Sequence, residues 1–321
     1  MDVVLLHNPK AGDGDRSGGD LANLLRQHGY RPTMLSLDEA WEATDPLKRA
    51  GFIVVAGGDG SLKQVALALA HRGLPIAPLP MGTANNIATS LGVKGEPEAI
   101  IAGWKHGRRR KIDLGCAAGP WGKRRFIEGM GLGLIGRAIA TLEAIDDVST
   151  RKFANKEDKL YRDLCVLFAL AHEMPPLHIE VQSDDDDCSG EYLLLEVLNI
   201  SRAGPGFELA QRADPSDGLL DVVSVRTGDR AKLAEGVKGC LKQLEHGATL
   251  DSHTARSLHL GLRAGELRID DDIVWPPEDG PADSAPGPDS IAVEITVEPG
   301  AVEFVLPAAA GERRDPAQDR R

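Results

Sequence analysis

Short apolar runs punctuate the first third of the chain at regular intervals. Val3–Leu6, Thr33–Leu37, Ile53–Ala56 and Ile76–Pro80 have strand length. Between them, Gly18–His28 places Leu21, Leu24 and Leu25 on one helical face. Ser61–His71 does the same with Leu62, Val65, Ala66 and Leu69, and Asn86–Leu91 opens another helix. Alternating strands and helices predict a parallel sheet covered on both faces.

After about Asp113 the pattern changes. Strand-like runs recur at Arg125–Glu128, Ile179–Gln182, Tyr192–Ile200, Leu220–Val225, Ser257–Leu262, Glu266–Ile269 and Ile291–Val297. Two helical stretches interrupt them, about Phe153–Glu173 and Ala231–His246. This density of strands predicts an antiparallel sandwich or barrel. Ala301–Leu306 reads as a strand returning to close a sheet edge. Pro276–Ser290 reads as a long mobile loop and Ala308–Arg321 as a disordered tail.

Composition adds limits. The chain has 321 residues, 42% hydrophobic and 4% aromatic, so its cores must rest on Leu, Val, Ile and Ala. At roughly 100–200 residues per domain, about two domains are expected. A net charge of -12 argues against nucleic-acid binding and gives no global attraction to an anionic membrane. Basic residues concentrate at Lys105–Lys111 and Lys123–Arg125, and acidic ones at Asp184–Asp187 and Asp270–Asp272. Four widely spaced cysteines without a CxxC pair read as reduced thiols in a cytosolic protein. Met1–His7 is an apolar strand without the basic flank of a signal peptide, and Cys165–His172 is too short to span a bilayer. Membrane contact is therefore expected to be peripheral and the location cytoplasmic.

Candidate chemistry lies where the early strands end. GGDGS at Gly57–Ser61 follows an apolar strand and opens a helix. Its glycines let the backbone approach an anion, and the helix start supplies N–H donors. Asp59, set beside such an anion, suits Mg²⁺ handling or activation of a hydroxyl. MGTANN at Met81–Asn86 repeats the arrangement, with Thr83 and Asn85 as further donors. HNPKAGDG at His7–Gly14 brings Asn8 and Lys10 to the same edge. Each turn alone also reads as a plain capped turn, with Asp59, Thr83 and Asn85 as caps and Lys10 solvated. Three such turns on one sheet edge point instead to one phosphate-binding crevice.

Further along, Asp214–Val222 (DPSDGLLDV) offers Asp217, Gly218 and Asp221 for a cation, or forms an ordinary Asp-Gly hairpin turn. Asp270–Asp272 reads as a metal-binding or a solvated acidic turn. No Walker A sequence is present. A formal GxGxxG at Gly131–Gly136 is a weak dinucleotide signal, because the charged Ser149–Asp163 replaces the required next strand. No HExxH or GxSxG occurs.

The ordered series HNPKAG, GGDGS, LPMGTANNIA, IDLG, GLG and DGLLDV resembles the diacylglycerol kinase catalytic-domain family, which includes bacterial lipid kinases and sphingosine kinases. The similarity runs from about Met1 to Pro307. It implies an N-terminal α/β nucleotide-binding domain over 1–115. A β-rich, antiparallel sandwich-like lipid-substrate domain follows over 116–300, with 301–307 as the returning strand and 308–321 as tail. ATP would lie between the domains, bound by Asn8, Lys10, Gly57, Gly58, Asp59, Gly60, Ser61, Gly82, Thr83 and Asn85. Mg²⁺ would be held by Asp214, Asp217 and Leu219, the last through its carbonyl. The late DGE motif of the family reads Asp270-Asp271-Asp272, which makes Asp272 the proton acceptor, with Asp59 as the second catalytic candidate. Glu128 and Asn86 also depart from the family pattern. The implied partner is a lipid, met at a membrane surface, and a homodimer stays open. Two rivals remain: a soluble NAD kinase-like enzyme, since GGDG is shared with NAD kinases, and a nucleotide-binding regulator without catalysis.

Overall fold

A computed structural model describes residues 1–8, 16–149, 153, 156–242, 250–276 and 290–308. The loop expected at Pro276–Ser290 and the tail expected after Ala308 lie almost wholly outside these residues. The chain forms two compact units. One is Met1–Ile112 joined by the segment from Ala301, and the other is Asp113–Gly300.

The first unit begins with β1 (Asp2–His7), α1 (Gly18–Gln27), β2 (Arg31–Ser36), a short α2 (Asp45–Arg49), β3 (Phe52–Gly57) and α3 (Asp59–Ala68). It continues with β4 (Ile76–Pro80), α4 (Asn86–Ser90) and α5 (Pro97–Trp104). The strands are parallel, with β1 between β2 and β3, and β4 beside β3. All six residues of β3 are buried, as expected for a parallel strand covered on both faces. β2, at the sheet edge, leaves Met34 exposed. A capping box starts α1. The Ser17 hydroxyl accepts from the Asp20 amide and the Asp20 carboxylate accepts from the Ser17 amide. The strand order reverses direction at β1, so a crevice opens between the carboxyl ends of β1 and β3.

Passage to the second unit occurs inside β5 (Arg108–Gly119), whose basic half is mostly exposed and whose apolar half is buried. Then follow β6 (Gly122–Phe126), β7 (Gly129–Gly133), α6 (Leu134–Val148), α7 (Lys156–Glu173), β8 (Leu177–Ser183), the brief β9 (Asp186–Asp187) and β10 (Gly190–Leu198). The two-residue β11 (Arg202–Ala203) and β12 (Phe207–Glu208) precede β13 (Leu220–Arg226) and α8 (Arg230–Leu241). The set closes with β14 (Ser252–Ala255), β15 (Ser257–Leu262), β16 (Leu267–Ile269), β17 (Asp272–Trp275) and β18 (Ile291–Leu306). Pairing within this unit is antiparallel, with β10 bonded to β7, β8 and β13.

β10 serves two cores. Leu195 and Val197 join the sandwich interior with Met130, Leu132, Leu260 and Ile295. Leu193, Leu194 and Leu198 pack under α6, α7 and α8 with Leu134, Leu167 and Leu233. A bulge between Tyr192 and Leu194 breaks the two-residue alternation that would otherwise separate these sets.

Several elements depart from the sequence reading. Ile291–Val297 and Ala301–Leu306 are one sixteen-residue strand, β18, whose end pairs parallel with β4 through Phe304 and Ile76. Gly129–Gly133 (GMGLG), absent from the expected strands, is the fully buried strand β7. The formal GxGxxG that starts within it has no room for a pyrophosphate. A Cβ at Gly133 would lie 2.3 Å from the Leu193 carbonyl oxygen, and one at Gly136 2.1 Å from that of Glu266.

Gly131 answers to a different neighbour. It sits opposite Glu196 on β10 and Arg268 on β16. These two side chains meet across it as a buried ion pair, Arg268 Nη2 to Glu196 Oε2 at 2.5 Å. A Cβ on Gly131 would lie 2.3 Å from the Glu196 carboxylate. Gly131→Ala is therefore expected to lower stability by about 1–3 kcal/mol through overpacking, read as a reduced urea midpoint at unchanged slope. An unchanged midpoint would show that the pair does not need the glycine.

Candidate functional site

The carboxyl ends of β1, β3 and β4 converge on two touching turns. Gly58 and Gly82 approach so closely that a Cβ on Gly82 would sit 2.6 Å from the Gly58 Cα. The Met81 amide donates to the Gly57 carbonyl at 2.9 Å, extending the ladder into the turns. Asn8 Nδ2 donates to the buried Ser61 hydroxyl at 3.1 Å, and Ser61 in turn occupies the space where a Gly57 Cβ would be. Asn85, in the left-handed region at φ 50, closes the second turn. Its Oδ1 accepts from the Gly82 amide and its Nδ2 donates to the Gly82 carbonyl, both at 2.9 Å. The Asp59 carboxylate accepts from the Ile87 amide at 3.0 Å, binding the start of α3 to α4. Asp59 thus caps the neighbouring helix.

Helix α3 has no side-chain cap, and the first-turn amides of any helix lack partners within it. Gly60, in that turn, is exposed, and a Cβ there would meet nothing within 4 Å. The protein's own packing does not require a glycine at this point, whereas a close-lying phosphate would. Thr83 is exposed in the neighbouring turn. Lys10 lies outside the described residues.

A second assembly surrounds Asp214–Leu219. The Asp214 carboxylate accepts from the Ser216 amide (3.0 Å) and hydroxyl (2.7 Å), and Asp217 Oδ1 accepts from the Leu219 amide at 2.9 Å. Asp113, buried in β5, fixes the loop. Its Oδ2 accepts from the Gly218 amide at 2.7 Å, its Oδ1 from the Gly300 amide at 2.6 Å, and its own amide donates to the Pro215 carbonyl at 2.7 Å. Burial, with the charges of Asp217 and Asp214, pushes the Asp221 carboxyl up to about 6. Three mutually repelling carboxylates match a hard cation with oxygen ligands. Among the described residues no group of three or more His, Cys, Asp or Glu side chains is placed to hold a metal ion by side chains alone. Carbonyls and waters would complete the shell, which is the habit of Mg²⁺.

The third assembly is the acidic corner. Ile269 pairs with Asp272, so Asp270 and Asp271 form a two-residue hairpin turn. Asp270 is buried at φ 52, and its carboxylate accepts from the amides of Glu128 (2.9 Å), Gly129 (3.3 Å) and Ile127 (3.4 Å). It is a structural clamp. Asp271 and Asp272 are exposed. Of the basic residues at Arg108–Lys111, all on β5, Arg109 faces Glu303 at 3.7 Å.

The chain is similar to known proteins along nearly its whole length. The diacylglycerol kinase catalytic domain model matches residues 2–117, and the YegS C-terminal NAD kinase beta sandwich-like domain model matches residues 141–306. A Pseudomonas putida protein named "Probable lipid kinase YegS-like" is 32% identical over 68% of this chain and 72% of its own length. The chain belongs to the YegS-like lipid kinase family. A relative of the same name from Pseudomonas aeruginosa UCBPP-PA14 is 29% identical over 99% of this chain and 98% of its own. The crystal structure of a diacylglycerol kinase from Bacillus anthracis Sterne shares the fold, with TM-score 0.63 and 18% identity over 96% of this chain and 97% of that one. The family is one of phosphotransferases. The expected architecture, an α/β domain followed by a β-sandwich-like domain, is the one observed. Among the described residues no helix is long and apolar enough to cross a membrane.

Of the residues expected at the site, Asn8, Gly57, Gly58, Asp59, Ser61, Gly82 and Asn85 gather in the paired turns, with Gly60 and Thr83 exposed beside them. Asp214, Asp217 and Leu219 share one loop, and Asp272 opens β17. Sequence reasoning assigned no role to Asp113, Glu196 or Arg268. The signal available for Glu196 was a lone charge inside the apolar run Tyr192–Ile200.

The raised Asp221 carboxyl sets a pH dependence. Its folded pKa of about 6 exceeds the ordinary 3.8, so its contribution to stability is present below about pH 4 and lost as pH rises through 6. In metal-free buffer at neutral pH, Asp221→Asn is expected to raise stability by about 1–3 kcal/mol, with no gain near pH 3.5. Added Mg²⁺ should stabilise the wild type more than the variant. Urea titrations at the two pH values check this, and a pH-independent difference contradicts it.

Proposed function

We propose that this protein transfers the γ-phosphoryl group of ATP to the hydroxyl of a lipid such as a diacylglycerol, with Mg²⁺ as cofactor. The open Gly60 position at the uncapped start of α3 carries this reading. ATP supplies the phosphoryl group when bound, and Mg²⁺ offsets the charge on its oxygens. The amides of the Gly57–Ser61 turn orient the phosphates. Asn85 and Asn8 hold the two turns in shape, and Thr83 adds a donor beside them, with Lys10 expected from the sequence as another. Asp59, anchored through one oxygen to Ile87, positions the reacting groups. Asp214, Asp217 and the Leu219 carbonyl fit a second, structural Mg²⁺, with Asp113 holding their loop. The exposed Asp272 would accept the hydroxyl proton as the hydroxyl oxygen bonds the γ-phosphorus and the bond from that phosphorus to the β–γ bridging oxygen breaks, releasing ADP; the proton then passes to water. An Asp here is one methylene shorter than the family's Glu. The left-handed turn at Asp270 sets where that shorter side chain begins. The two expected domains, 1–115 and 116–300, divide the work between nucleotide and lipid, at a cytoplasmic membrane surface touched peripherally.

Gly60→Ala separates ligand binding from folding. Its Cβ enters open space, so thermal stability should stay level, while ATP–Mg²⁺ affinity measured by calorimetry should fall about ten-fold or more as the phosphate approach closes. Unchanged affinity would remove the turn from the nucleotide site. With γ-labelled ATP, label should enter a lipid extract and not NAD, and Asp272→Asn should lower turnover about 10²-fold or more. Label in NADP would instead support a soluble NAD kinase, and ATP binding without any turnover a regulator.

A further inference from the structure

The buried pair Glu196–Arg268 reaches the acidic corner through backbone. Both side chains are essentially inaccessible, at 0% and 1% exposure. Two contacts join them, Nη2 to Oε2 at 2.5 Å and Nε to Oε1 at 3.4 Å. The remaining guanidinium nitrogen, Nη1, donates to the Asp270 carbonyl at 2.5 Å and reaches the Gly129 carbonyl at 3.4 Å. The Asp270 amide also donates to the Gly129 carbonyl, at 2.7 Å. Asp270 is therefore gripped at its amide, its carbonyl and its carboxylate. It needs that grip, because a non-glycine residue at positive φ is strained. Asp272 stands two residues on, at the first position of β17, paired with Ile269.

A buried ion pair is a poor way to gain stability, since hydrophobic replacements of similar volume often fold as well or better. Its presence on the sheet face of Leu194 and Leu198, opposite the sandwich interior and otherwise apolar, calls for another reason. We infer that Glu196 and Arg268 are positioning residues for phosphoryl transfer: the carboxylate orients the guanidinium, which fixes the Asp270 carbonyl and thereby the placement of Asp272. This rests on the reading of Asp272 as proton acceptor.

The test compares the double variant Glu196→Leu/Arg268→Met with the wild type, each with and without Asp272→Asn. Activity is read with γ-labelled ATP and a bacterial lipid extract in detergent micelles. The double variant is expected to melt at or above the wild-type temperature and to bind ATP–Mg²⁺ within about two-fold. Its kcat should fall about ten-fold or more, with a displaced acid limb in the pH profile. Amide exchange at Glu128 and Gly129 should quicken. In the Asp272→Asn background the same pair of substitutions should cost about two-fold or less, because both act on one group. Undiminished kcat in the double variant, while Asp272→Asn alone is inactive, overturns the positioning role and leaves the acceptor reading intact. A loss fully additive with Asp272→Asn also overturns it. Full activity in Asp272→Asn overturns the acceptor reading and this inference with it. Should the double variant melt early, Arg268→Lys decides. Its single ammonium keeps the charge beside Glu196 but cannot also hold the Asp270 carbonyl. Reduced kcat at normal melting temperature supports the role, and wild-type kcat overturns it.

Discussion

One guanidinium organises the centre of the second unit. Arg268 has no access to water, so each of its donors needs a partner inside the protein. Glu196 neutralises it, and the Asp270 carbonyl takes the nitrogen left over. Burial pushes the Glu196 carboxyl up from its ordinary value while the guanidinium pulls it back. The consequences spread along three strands. β7 must be glycine at 131, because the pair lies where a side chain would be. β16 must turn at Asp270, whose carboxylate gathers the amides of residues 127–129. β17 must then begin at Asp272.

The first unit rests on a contact of another kind. Gly58 and Gly82 meet backbone to backbone, leaving no space for a Cβ between them. Around that contact the polar side chains are mostly occupied with the turns themselves. Asn85 bonds twice to Gly82, Asn8 holds Ser61, and Asp59 reaches the Ile87 amide. These bonds fix the shape of both turns from within the protein. Asp113 does comparable work in the second unit. Its carboxylate joins the Gly218 and Gly300 amides, so the acidic loop is held by a charge outside the loop itself.

Much of this was legible beforehand. The β-turn-α rhythm of residues 1–91 survives nearly element by element, because parallel strands and amphipathic helices carry their burial in their own periodicity. The turns at Gly57–Ser61 and Met81–Asn86 were legible for a related reason: a glycine at a strand end has few uses. Where the reading stopped, local sequence carried the wrong sign or none. GMGLG carries no strand pattern of its own and is a buried strand. Ile291–Val297 and Ala301–Leu306 look like two strands because Pro299 and Gly300 interrupt them, yet β18 runs through both. Nothing local marks Asp270 as the buried member of 270–272, yet it is a clamp while the other two are exposed.

The sequence by itself determined the fold class, the family and the residues of the phosphate-type turns, since these follow from short-range periodicity and from glycines whose role is local. Tertiary structure alone decided which charges are buried and what they hold. Glu196 and Arg268 are 72 residues apart, as Asp270 and Glu128 are 142 apart. Their meaning arises only when antiparallel pairing places them across Gly131 and beside the 127–129 amides, where the loss of water makes each hydrogen bond obligatory.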